Sequence, residues 1–150
     1  MPQSLAKLYT HLVFSTKHRE RCLSEDLRVD LHAYLGGTLP GLGCVPIEIN
    51  FEAEHIPALF LLGRTIALSE AIGNLKTSSN DWLRGKGARF AQFYGQGGYG
   101  AFSIGQSGVG ELRQYIRGQR EHHKQVSFQD DFRAFLRRYE VAYDERYVWD

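Results

Sequence analysis

Hydrophobic and polar positions along the chain alternate in short runs and, elsewhere, recur at helical spacing. In "LYTHLVFSTKHR", Leu8, His11 and Val13 are interleaved with Tyr9, Leu12 and Phe14, which predicts a central strand that leaves at Ser15. The segment "SEDLRVDLHAYLGGT" sets Leu27, Leu31, Tyr34 and Leu35 on one helical face, with Ser24 as N-cap and Gly36 and Gly37 as the stop. "CVPIEIN" is a short strand that Pro46 pushes toward a sheet edge or its own beginning, and "IPALFLL" is a second, mostly apolar strand. "LSEAIGNLKTSSNDWLRG" gathers Leu68, Ala71, Ile72, Leu75 and Trp82 on one side of a helix ended by Gly85. The glycine-rich, aromatic "KGARFAQFYGQGGYGAFSIG" reads as a loop followed by a strand near Tyr99 to Ile104. A helix capped by Ser107 follows, with Val109, Leu112 and Ile116 toward the core. The next opens on Ser127 and Asp130 and turns Phe128, Phe132, Phe135 and Leu136 inward, leaving "VAYDERYVWD" as loop and tail.

The resulting order is β-α-β-β-α-β followed by helices. It predicts an α+β, ferredoxin-like (split βαβ) antiparallel sheet with helices on one face plus C-terminal helices, forming one domain over residues 1–150. With 43% hydrophobic and 23% charged residues, the composition excludes a largely disordered chain. The longest apolar run, Ile56 to Leu62, is far short of the ~20 residues of a membrane helix. No secretory signal is visible, and Cys22 and Cys44 are too few for a disulfide scaffold, so a reduced, cytoplasmic setting is expected.

The net charge of +1 favours no partner, but its distribution is uneven. From Lys76 to Lys124 eight basic residues face three acids (Asp81, Glu111 and Glu121), an excess that can hold phosphates or be a solvated helix surface.

Candidate chemistry is sparse. "GQGGYG" matches G-x-G-x-x-G but precedes a strand, whereas a dinucleotide fingerprint follows a strand and opens a helix; it reads as a loop. Tyr115 and Gln119 are four apart and share a helical stripe away from the core, with Glu111, His122 and His123 near it. A nucleophile and a metal ligand would suit that stripe, as would a half-exposed tyrosine beside a surface glutamine. His55 stands at the mouth of a strand, but two positions on, where a second ligand would share its face, the residue is Pro57.

Taken together, "YTHLVFSTKHRE", "EHIPALFLL", "LSEAIGNLKTSSNDWL", "GYGAFSIG", "QYIRGQREHH" and "DERYVW" resemble the HUH-type single-tyrosine transposases, including the REP-associated tyrosine transposases of bacteria. The resemblance runs through nearly the whole chain. It implies a DNA transposase that cuts and rejoins single-stranded DNA through a 5′-phosphotyrosine intermediate and recognises hairpin ends. Tyr115 matches the nucleophile, and His55 and Gln119 match ligands of a divalent ion, Mg2+ or Mn2+. A homodimer is implied as well.

The departure is Pro57, where the family carries the second histidine; losing a ligand weakens metal binding, and Glu54 or His122 are the candidates to substitute. A catalytically inactive, repurposed hairpin-DNA-binding protein is therefore the alternative. For DNA contact the candidates are Lys17, His18, Arg19 and Arg21, with Lys76, Arg84 and Lys86, and with Phe90, Phe93 or Tyr94 as stacking platforms. An RNA-binding module on the same fold is disfavoured, because no K/R-G-F/Y-G/A-F-V-x-F/Y stretch occurs.

Overall fold

The computed structural model describes residues 2–16, 23–87 and 98–149. Its elements run β1 (Leu8–Ser15), α1 (Arg28–Gly41), β2 (Val45–Ile49), β3 (His55–Leu62), α2 (Leu68–Arg84), β4 (Gly100–Ile104), α3 (Val109–Arg117), α4 (Gln119–His122) and α5 (Phe128–Arg138). The sheet order is β2-β3-β1-β4 with every neighbour antiparallel, the ferredoxin-like arrangement expected from the element order. Among the described residues no helix is long and apolar enough to cross a membrane.

Register decides what each face carries, because directly paired residues project to the same side. His55, Pro57 and Leu59 pair with Ser15, Val13 and His11, and Phe102 pairs with His11 on the other flank. The opposite face carries Leu12, Phe14, Ile56, Ala58 and Phe60, which form the main core with Leu31, Leu35 and Leu39 of α1 and Ala71, Ile72, Leu75 and Leu83 of α2. The His55 face is covered by α3, through Leu112 and Ile116 on Tyr9 and Leu59, and by α5, through Phe128, Phe132 and Leu136 on Val13 and Phe102.

Four helix boundaries differ from the sequence pattern. Helix α1 continues through Gly36 and Gly37 to Gly41, and its end is the Leu42–Gly43 turn, where Gly43 takes φ +78°. The extra turn buries Leu39 completely, worth about 1.5–3 kcal/mol, which offsets about 0.5–1 kcal/mol per interior glycine. Ser24 precedes a 3-10 turn, and its hydroxyl bonds the Asp26 side chain instead of capping. The segment after β4 is two helices broken at Gly118, and Ser107 lies in a 3-10 turn without a capping bond. The Ser127 cap of α5 is present, accepting from the Asp130 N–H at 3.1 Å.

Pro46 lies on the edge strand, beside a bulge. Pro57 lies in a central strand, where a missing N–H ordinarily breaks the ladder. Its carbonyl accepts from the Asn50 N–H at 3.1 Å, so its nitrogen also faces β2, just past the last β2 pair, Ile49↔Ala58. The β1–β3 register continues unbroken past it.

Candidate active site

Three elements converge on the His55 end of β3. Burial of Leu112 and Ile116 fixes the roll of α3 and leaves Tyr115 beside His11, with ring centroids 6.3 Å apart. After the Gly118 break, α4 carries Gln119 inward until it is 1% exposed. The amphipathic α5 lays Phe128 flat on the His55 imidazole, centroids 4.2 Å apart and 13° from parallel.

Gln119 is the hub. Its Oε1 lies 3.0 Å from His55 Nε2 and 2.8 Å from His123 Nε2, and its Nε2 donates to the Tyr115 carbonyl at 3.3 Å. The Tyr115 hydroxyl donates to Asp131 Oδ2, and His122 Nε2 lies 3.1 Å from Asp131 Oδ1. Tyr115, His55 and Gln119 therefore line one small pocket, about 10 Å³, with Pro57, Phe128 and Asp131. A larger, more open cavity of about 470 Å³ lies against Tyr115, His11 and Asp131 and extends past Phe135 to Arg138 and Tyr139.

Burial sets the electrostatics. It pushes the Asp131 carboxyl up to about 6, with Arg138 pulling the other way. It pushes His11 down to about 4, so this imidazole is neutral near pH 7, and among the described residues its Nε2 has no hydrogen-bond partner. His122 is lowered by burial and then by the neighbouring His123.

Donor chemistry at the hub suits a divalent ion. An octahedral ion with bonds of about 2.0–2.1 Å holds adjacent donors roughly 3 Å apart, which matches the His55–Gln119 separation. Among the described residues a second group, His122, His123 and Asp131, also has ligand atoms within 4.8 Å of one another.

The DNA-contact candidates are more scattered. Lys17, His18, Arg19 and Arg21 lie outside the described residues, as do Phe90, Phe93 and Tyr94; the described chain reaches Thr16, whose N–H bonds Glu54 beside His55. Lys76, Arg84 and Lys86 belong to α2 and its end, across the sheet from Tyr115. Lys76 donates to the Gly98 carbonyl at 2.9 Å and its pKa is lowered by burial; Arg84 lies 3.3 Å from Asp81; Lys86 sits 4.5 Å over the Trp82 ring.

The sequence reading gave two participants no role in the site. His123 is four residues from Gln119, a spacing that could have singled it out over His122 and Glu54. Asp131 carries no local signal, since only the packing of α5 on α3 brings it to Tyr115.

This chain belongs to the IS200-like transposase family, whose model matches residues 4–119, and is thus a transposase of the HUH tyrosine class. Solved structures repeat the fold at low identity. One, from Deinococcus radiodurans R1 and assigned as a transposase, aligns with a TM-score of 0.62 at 17% identity, over 79% of this chain and 98% of its own. Another, a REP-associated tyrosine transposase bound to a REP hairpin, aligns with a TM-score of 0.60 at 12% identity, over 84% of this chain and 74% of its own. Comparison with curated proteins gives no match.

Proposed function

We propose that the protein cuts and rejoins single-stranded DNA beside a hairpin, with Tyr115 as nucleophile. The Tyr115 oxygen attacks the scissile phosphorus, the P–O3′ bond breaks, and the departing 3′ oxygen takes up a proton as the 5′ phosphate stays on tyrosine. Attack by a 3′-OH on that ester reverses the step and rejoins DNA. A phenol near its ordinary pKa of ~10 is protonated at neutral pH, so a local acceptor is needed, and Asp131 is hydrogen-bonded to it. His55 and Gln119 would hold the divalent ion, Mg2+ or Mn2+, which when bound would withdraw charge from the phosphate. Phe128 and Pro57 line the space beside these ligands. Within one chain Tyr115 lines the same space as His55, which supports a site assembled in a single subunit.

The observation that carries this reading is the meeting of Tyr115, His55 and Gln119 in one small pocket, although His55 and Gln119 are 64 residues apart. The test is to incubate the protein with a hairpin-bearing single strand and look for a denaturation-resistant protein–DNA adduct. An adduct that vanishes in Tyr115→Phe is expected; one that persists in that variant overturns the assignment.

A second reading, hairpin binding without cleavage, is supported by Pro57 and by the small volume left beside His55. It predicts hairpin affinity without adduct, and adduct formation gained on Pro57→His. If the native chain already cuts at a rate the reversion does not raise, impairment by Pro57 is wrong.

A further inference from the structure

We propose that His123 takes over the ligand role absent at Pro57, so that His55 Nε2, Gln119 Oε1 and His123 Nε2 form a three-donor site for one divalent transition-metal ion. This deepens the functional reading above and rests on it for the purpose of the ion, but it is carried by its own geometry.

The first observation is the meeting of three polar atoms. His123 Nδ1 lies 2.7 Å from the Val126 carbonyl, which can only accept, so Nδ1 bears a hydrogen. Nε2 is then the ring atom left to face Gln119 Oε1, at 2.8 Å. The carboxamide is oriented by its Nε2 donation to the Tyr115 carbonyl, which turns Oε1 to the imidazoles. His55 Nε2 lies 3.0 Å from the same oxygen. Two imidazole nitrogens and one amide oxygen thus gather at one point of the fold, a donor set for a cation.

The second observation is spacing. Separations of 2.8 and 3.0 Å around a shared oxygen are those of neighbouring ligands on an ion with bonds of about 2.0–2.1 Å. The Val126 carbonyl meanwhile fixes the ring orientation and tautomer, as hydrogen-bond partners of metal-bound histidines do. Chain order explains why proline at position 57 need not empty the site. His123 arrives from the C-terminal end of α4, its ring edge-on to His55 with centroids 4.8 Å apart. Two imidazoles and one amide oxygen select Mn2+, Co2+ or Zn2+ over Mg2+, which prefers an all-oxygen shell.

The test uses the full chain without DNA, so that its outcome is independent of the adduct assay. Mn2+ is titrated and followed by electron paramagnetic resonance, with nitrogen modulation counting the bound imidazoles. The expected result is one bound ion with two imidazole nitrogens. His123→Asn should weaken binding at least ~10-fold and leave one imidazole, with unchanged melting of the metal-free protein. Pro57→His in the His123→Asn background should restore affinity, and His32→Ala, at an exposed position on α1, should change nothing. Three results overturn the proposal. No bound Mn2+ in the wild type at neutral pH removes the site. Equal affinity in His123→Asn removes that ligand. Loss in Asp131→Asn with retention in His55→Ala moves the ion to the His122, His123 and Asp131 group.

Discussion

Tyr115 donates its phenolic hydrogen to Asp131, tying the nucleophile candidate on α3 to a half-buried carboxylate on α5. With its pKa raised to about 6 by burial, Asp131 is an ionised acceptor above that pH and a neutral acid below it. Strand cleavage by the wild type should fall as pH drops through about 6. Asp131→Asn should cost ~10²–10⁴-fold in rate and abolish that acid limb. Single-turnover rates from pH 5 to 8 check this; superimposable profiles would dismiss Asp131 as a base.

His11 and Asp131 make opposite contributions to stability. His11 is depressed in the fold from an ordinary 6.5 to about 4, so between those values the unfolded chain binds more protons and stability falls on acidification, by up to ~3 kcal/mol. Asp131 is raised from 3.8 to about 6, so there the folded chain binds more protons and stability rises on acidification. The two nearly overlapping windows oppose each other in the wild type. Urea midpoints at pH 4.5 and 7 should differ more in Asp131→Asn than in wild type, with the acid side weaker, and the difference should shift the other way in His11→Phe.

Gly100 makes room for α5. A Cβ there would come within 2.4 Å of Phe132 Cε2, on the strand position paired with Val13. Gly100→Ala should cost about 1–3 kcal/mol and, by displacing α5, loosen the Phe128 stack on His55. Thermal melting reads the first effect and the His55 ring proton shifts in NMR read the second. A variant as stable as wild type would show that Phe132 moves away freely.

DNA contact and chemistry should separate. Arg84→Ala and Lys86→Ala lie across the sheet from Tyr115, so they should weaken hairpin binding and each reduce the salt dependence of log K by about 0.7–0.9. Tyr115→Phe should leave affinity unchanged. An unaltered salt slope in both basic variants would take α2 out of the DNA interface.

Much of this was legible in the sequence because it depended on local periodicity. The strand pattern of Leu8 to Ser15, the Ser127 cap and the Gly85 stop are short-range signals, and the structure reproduces them. The Gly36–Gly37 stop failed because a tertiary gain, the burial of Leu39, outweighed a local propensity. Tyr115 and Gln119 were legible as a four-residue pair, but the Gly118 break between their helices was not. Asp131 was invisible for a plainer reason: its meaning lies in a helix-to-helix contact that no window of sequence contains.

Pro57 has a consequence for how such a chain drifts. Since its ring nitrogen is turned to the frayed rim of β2 and the β1 register is kept, exchanging imidazole for pyrrolidine here spares the scaffold. Quality control that senses only misfolding is blind at this position. On the proposed reading, a metal ligand can be lost from this position without cost to the fold, and only pressure on the chemistry itself would register the change.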